Sequence, residues 1–271
     1  MTSSVLNTMI DSGMMPLAVI IEKTPYDQNF PNLTENICLA EKIPYLRSDI
    51  NDDETIKFIK QHEPNLVVVA SLGKILTNEL LETSAYINVH MGILPAERGA
   101  HTIFWNILND SDTFGISIHE MTETIDHGKI FTQTTINLPD IQDGFELHKQ
   151  LYLEAAKQTC DFLNNYPESL NEVIITENIS EDYFSKFDPK YLQLDIDQSF
   201  DTLAKKINRL QYYGSPRIEL NCSSYEISHA VPLLTTEAGN QTEDIKVYSD
   251  KEVLFLERNG NVLRLTTCNQ S

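Results

Sequence analysis

Four short patterns in one stretch of the chain bring together side chains capable of acid–base and carbonyl chemistry. They are Asn88-x-His90, Leu94-Pro95-x-x-Arg98-Gly99, Gly115-x-x-x-His119 and Asp126-x-Gly128. An amide, an imidazole and a carboxylate in this order serve a reaction in which an amine attacks a carbonyl carbon. Asn88 and a protonated His90 would hold the tetrahedral oxyanion, an effect of about 3–4 kcal/mol for one well-aimed donor. Asp126 would orient the imidazole, raise its pKa and help take the proton from the amine, directly or through water. Asn88, His90 and Asp126 are therefore the candidate catalytic residues, and no nucleophilic Ser or Cys is needed. Each pattern alone has a plainer reading: a turn residue beside a core histidine, a loop, a turn. Order and spacing together argue against coincidence. Ser117 lies inside an alternating strand instead of a strand-to-helix turn, so Gly-x-Ser-x-His is no nucleophile elbow. His119 reads as a strand-end group supporting the site, Trp105 as core or pocket wall.

These residues need a frame. Strand and helix patterns alternate up to about Pro167: helix at 3–12, strand at 17–22, helix at 34–42, an extended piece at 44–46, helix at 53–61 and an apolar strand at 65–70. Strand 86–89, helix 102–109, strands 115–121 and 129–137 and helix 144–163 follow. Such alternation predicts an α/β fold with a mostly parallel sheet and flanking helices. Asn88 and His90 are two apart on a strand, so they share a face at its carboxyl end, where ligands bind in open α/β sheets. Asp126 falls in the loop after strand 115–121, with Gly128 easing the backbone path. Residues 168–192 read as an acidic connecting segment. A helix at 200–210 and β-like runs at 217–220, 224–227, 245–248, 253–257 and 262–266 predict a small, mainly β C-terminal domain, with Asn259-Gly260-Asn261 as a hairpin turn. The division expected is 1–167, 168–192 and 193–271.

Charge limits the partners. Forty acidic against twenty basic residues among 271 give a formal net charge of −20, which repels polyanions at long range. Nucleic acid is disfavoured as a partner. Lys205, Lys206 and Arg209 could meet a phosphate locally, against the plainer reading of a solvated helix face. No run of eighteen apolar residues and no signal-peptide pattern occur, so the expectation is a cytoplasmic protein with no membrane partner. Cys38, Cys160, Cys222 and Cys268 lack metal-ligand spacing, and no metal is expected. Assembly as a homodimer stays open.

Asn88-Val89-His90, Ile93-Leu94-Pro95, Arg98-Gly99, Phe104-Trp105 with Asn109-Asp110, and Gly115-Ile116-Ser117-Ile118-His119 leading to Asp126 resemble the signature of the folate-dependent formyltransferases, including sugar N-formyltransferases and methionyl-tRNA formyltransferase. The resemblance runs from about Leu17 to Ile136, and more weakly through 200–210 and 214–220. It implies a Rossmann-like fold, formyl transfer from 10-formyltetrahydrofolate, and a pterin pocket formed by Leu72, Gly73, Lys74, Ile75, Leu76, Ile87 and the backbone of Thr122, Glu123, Thr124, Ile125 and Asp126. A plain strand-to-helix loop is the other reading of 72–76. Met91 stands where many members have proline, and His127 where small or acidic residues are usual. Relatives open on a buried strand, whereas this chain opens on the helix that follows it. The expectation is that roughly ten more residues precede Met1 in a native protein and that, without such a strand, the edges of strands 17–22 and 65–70 lack partners, at about 1–3 kcal/mol per unsatisfied buried group. A truncated, non-catalytic relative is the rival.

Acidity shifts the expected acceptor away from a tRNA, because phosphate contacts dominate such affinity. Residues 23–31 carry little basic charge to grip an acceptor stem. A small amine, the amino group of a nucleotide-linked amino sugar, is favoured. Methionyl-tRNA remains the alternative acceptor. Hydrolysis of formyltetrahydrofolate, with water replacing the amine, is another alternative.

Overall fold

A computed structural model describes residues 1–23, 32–174, 183–233, 245–250 and 252–268. Residues 24–31, most of the stretch weighed against tRNA, and 175–182 of the expected connecting segment lie outside it. Contacts divide the chain into two compact units. The first comprises Met1–Thr102, Phe114–Ile136 and Gln150–Ser185, and the second Ile103–Thr113, Asn137–Lys149 and Lys186–Ser271.

The first unit starts with α1 (Thr2–Asp11), β1 (Val19–Glu22), α2 (Leu33–Glu41), β2 (Tyr45–Ser48), α3 (Asp53–His62) and β3 (Leu66–Ala70). Local chemistry sets these bounds. Asn32 caps α2 by accepting from the N–H groups of Thr34 (3.0 Å) and Glu35 (3.3 Å), and Lys42 ends it in the left-handed region. Next come α4 (Asn78–Leu81), a one-turn helix that the pattern missed, then β4 (Ala85–His90) and the two-residue β5 (Arg98–Gly99). Its next strands are β6 (Thr113–Glu120) and β7 (Ile130–Asn137); α5 (Thr102–Leu108) belongs to the second unit from Ile103 on, and α6 (Gly144–Asn164) to the first unit only from Gln150.

β1 pairs in parallel with β2, and β3 with β4. β3, β4, β6 and β7 follow one another in a single sheet, which β6 enters antiparallel to β4. Two core clusters flank this sheet. Ile56 and Ile59 of α3 bury against Val69, Leu76, Leu80 and Tyr86, while Ile87, Ile118, Phe131 and Phe162 form the other. Among the described residues β1 and β3 belong to different sheets. A cavity of about 560 Å³ is lined by both, from Val19 to Glu22 and from Leu66 to Ala70. The Thr2 hydroxyl donates to the Ala70 carbonyl at 2.7 Å.

In the second unit, α7 (Phe200–Leu210) is capped by the Ser199 hydroxyl on the Thr202 N–H at 3.1 Å. Strands β9 (Arg217–Leu220), β10 (Ser223–Leu233), β11 (Lys246–Asp250), β12 (Val253–Arg258) and β13 (Asn261–Thr267) form an antiparallel sheet in the order β11-β12-β13-β10-β9. Asn259 and Gly260 both take positive φ at the hairpin, as a tight right-twisted turn requires. Lys205 and Arg209, two of the three helix charges, are not the solvated or phosphate-binding face expected. Arg209 is fully buried and donates to Asp112 (2.7 Å) and to the carbonyls of Ile141 and Leu138 (2.8 Å each), and Lys205 pairs with Asp110 at 2.7 Å. A buried guanidinium needs this many acceptors to offset its lost hydration. No described helix is long and apolar enough to cross a membrane.

Candidate active site

The carboxyl end of β4 positions two of the three candidate catalytic residues. Asn88 and His90 share a strand face, and antiparallel pairing sets Asn88 directly opposite His119 of β6. His119 donates its Nδ1–H to the Glu120 carbonyl at 2.8 Å. Its Nε2 then faces the Asn88 amide nitrogen at 3.1 Å and Asp126 Oδ1 at 3.4 Å. The sequence cast His119 as a supporting strand-end group, and the register makes it the link between Asn88 and Asp126. That link was legible only once β6 was known to run antiparallel.

Asp126 comes from the loop after β6 and adopts φ +55, a left-handed conformation that a residue with a Cβ takes only when its surroundings impose it. Those surroundings are β5. The Gly99 N–H donates to Asp126 Oδ2 at 2.8 Å, and Arg98, almost wholly buried, donates from Nε to the Asp126 carbonyl at 3.2 Å. The Arg98-Gly99 step therefore fixes the carboxylate, a role its loop-like sequence concealed. Gly128 is needed because a Cβ there would lie 1.9 Å from the Glu120 carbonyl oxygen. Burial pushes the Asp126 carboxyl upward. The neighbouring His119 and His90 imidazoles and the Gly99 N–H outweigh it and hold the group below the usual carboxylate range.

His90 lies with Nδ1 3.8 Å from Asp126 Oδ2 and Nε2 2.6 Å from the Glu97 carbonyl. A carbonyl only accepts, so Nε2 carries the proton. The imidazole is buried, and desolvation drives its pKa below the ordinary value. Asp126 and the Glu97 carbonyl pull the other way, and His119 adds to the lowering. The expectation of a protonated His90 with a raised pKa is thus corrected: burial outweighs the carboxylate. In its neutral form His90 keeps a bare Nδ1 facing the cluster, which makes it a proton acceptor.

The pterin candidates are distributed as follows. Ile87 is 1% exposed inside the core with Ile118 and Phe131. Leu76 is buried beside Leu80, whereas Ile75 and Ile125 are 55% and 43% exposed, a large apolar face on each of the two loops. Leu72 and Met121 pack against the same core cluster, so both loops start from one side of it. Gly73 is open, with nothing within 4 Å of an added Cβ. Lys74 is held by Glu22 at 2.5 Å and by Asp49, and Asn51 donates to the Ile75 carbonyl at 2.9 Å. Thr122, Glu123 and Thr124 are exposed, the Thr122 hydroxyl donating to the Thr124 carbonyl at 3.0 Å. Ser117 is occupied: its hydroxyl donates to the Gly92 carbonyl (2.6 Å) and accepts from Leu94 N–H (3.2 Å) and Gln133 (2.9 Å).

An amide, two imidazoles and a fixed carboxylate thus meet at one strand end. The model of a family described as formyl transferase matches residues 18–158, which carry Asn88, His90, His119 and Asp126. The bifunctional polymyxin resistance protein ArnA of Wigglesworthia glossinidia brevipalpis is 28% identical over 214 residues, covering 76% of this chain and 32% of that protein. The methionyl-tRNA formyltransferase of Thermosipho melanesiensis is 28% identical over 177 residues, covering 65% and 57%. The chain spans less than two thirds of the length of both. An N-formyltransferase from Helicobacter canadensis, solved with folinic acid and dTDP-3-aminofucose, shares the fold at a TM-score of 0.66 and 17% identity, covering 98% of this chain and 95% of that one.

Proposed function

The chain belongs to the formyl transferase family, and on that premise we propose that it moves a formyl group from 10-formyltetrahydrofolate to the amino group of a nucleotide-linked amino sugar. The observation that carries the chemistry is the Asn88–His119–Asp126–His90 cluster at the end of β4. The donor supplies an activated formyl carbon. Ile75 and Ile125 offer apolar faces for its ring, and the space beside the Gly73 Cα leaves room for it. No metal takes part in this scheme.

The acceptor nitrogen attacks the formyl carbon, and the carbonyl electron pair moves to oxygen. The Asn88 amide nitrogen carries a second N–H besides the one directed at His119, and it donates that proton to the oxyanion. His90 Nδ1 takes the proton released by the amine. The imidazolium formed there is stabilised by anionic Asp126 at 3.8 Å, while its Nε2–H stays on Glu97. The oxyanion then collapses, the bond to the folate nitrogen breaks, and the proton on His90 is returned to that leaving nitrogen. The Gly99 N–H on Oδ2 and the Arg98 bond to the Asp126 carbonyl keep the carboxylate in place.

The net charge of −20 supports the small acceptor over a polyanion. Nucleotide sugars are cytoplasmic metabolites, and we place the protein there. Methionyl-tRNA is the second reading, supported by the curated relative of that name. The test is formylation by purified protein of a panel of nucleotide amino sugars beside methionyl-tRNA. Transfer to at least one sugar is expected. Transfer to methionyl-tRNA alone refutes the acceptor, and formate release without any acceptor points to hydrolysis.

A further inference from the structure

One exposed tyrosine is tied to both chain neighbours of Asp126. Tyr183 opens β8 (Tyr183–Phe184), which pairs in parallel with β5, and the Ala100 N–H donates to the Phe184 carbonyl at 3.0 Å. β8 packs so closely on β5 that a Cβ on Gly99 would lie 2.3 Å from the Phe184 carbonyl oxygen. The Tyr183 hydroxyl is 3.3 Å from the Ile125 carbonyl and 2.6 Å from His127 Nε2. Because the carbonyl only accepts, the phenol donates to Ile125, and His127 donates its Nε2–H to the phenol oxygen. The two rings stack at 6.1 Å and 24°. Tyr183 therefore spans the residues on either side of the left-handed Asp126, while Gly99 and Arg98 hold Asp126 itself.

We infer that Tyr183 is a positioning residue for the transfer reaction. It fixes the peptide unit that precedes Asp126, through the Ile125 carbonyl, and the His127 side chain that follows, so that the carboxylate stays between His119 and His90 as the proton moves. The inference rests on the proposed role of Asp126. Tyr183 is 44% exposed, and its hydroxyl is not otherwise required by the core. Tyr183→Phe keeps the ring stack and removes only the hydroxyl.

Tyr183→Phe should lower kcat about tenfold, leave KM for the folate donor within roughly twofold, and leave the urea midpoint unchanged. In an Asp126→Asn background the same change should cost no further activity, since the charge it positions is gone. A wild-type rate for Tyr183→Phe overturns the inference, as does an equal loss in both backgrounds, which marks a general structural effect. If Asp126→Asn alone is fully active, the proposed catalytic reading fails first, and the two failures are distinguishable.

Discussion

Replacing Asp126 by Asn tests the centre of the mechanism with almost no change in volume. The carboxylate lies 3.8 Å from His90 Nδ1, and both side chains are less than a tenth exposed, so solvent screening is slight. Opposite unit charges at that separation attract by about 4 kcal/mol at an effective dielectric of 20. The attraction matters only once His90 has taken the amine proton, so its loss falls on the transition state. At a factor of ten for each ~1.4 kcal/mol, kcat should drop by about three orders of magnitude while KM for the donor stays within roughly threefold. The acid limb of the pH profile tests the same pair. His90 must be neutral to act, and its pKa is already below the ordinary value, so activity is full at neutral pH and lost as pH falls through the folded pKa. Without Asp126 that limb should move to still lower pH. Tetrahydrofolate release at saturating amine measures the rate, and circular dichroism with a urea midpoint checks the fold. A folded Asp126→Asn variant retaining more than about a tenth of wild-type kcat refutes the reasoning.

Gly128→Ala should destabilise the protein by about 3 kcal/mol, the upper end of overpacking, because the new Cβ meets the Glu120 backbone oxygen at 1.9 Å. The shift in urea midpoint reads this, and an unchanged midpoint contradicts it. His148 in the second unit gives a stability change with a defined sign. Burial lowers its pKa to about 4, its Nδ1–H is on the Gly144 carbonyl, and Nε2 accepts from Tyr213. The folded pKa is depressed, so the stabilisation is complete above the unfolded value near 6.5 and is lost as pH falls toward about 4, amounting to about 3 kcal/mol. His148→Gln should show a shallower fall in urea midpoint between pH 7 and 4, and identical slopes argue against a buried neutral imidazole.

Apolar periodicity made most elements legible, because α3, β3, α6 and α7 each bury one face or both, and burial is what sequence patterns record. The shortest elements were not legible. α4, β5 and β8 are two to four residues long, too short for any periodicity, and β5 and β8 exist only through each other. The candidate triad was readable as residue types in order, yet its protonation was not. The pKa of His90 depends on how completely β4 and its loops exclude water, and the tautomer on where the Glu97 carbonyl falls. His119 was underrated for a topological reason: only cross-strand register tells which residue of β6 faces Asn88. Arg209 misled because a cation on a helix reads as surface unless the acceptors folded around it are seen.

The separation of β1 from β3 bears on how the first unit breathes. No backbone ladder joins the β1–β2 ribbon to the four-stranded sheet among the described residues; side chains such as Ile20 of β1 and Ile50 just after β2, packed on the Ile56 cluster, make the connection. A two-stranded ribbon is marginal alone, so its local opening costs less free energy than opening the sheet beside it. Amide hydrogens of β1 should then exchange with solvent well before those of β4. Asn88, His90 and His119 stand on the slow-exchanging side of that divide, where fluctuations of the amino-terminal ribbon leave their geometry undisturbed.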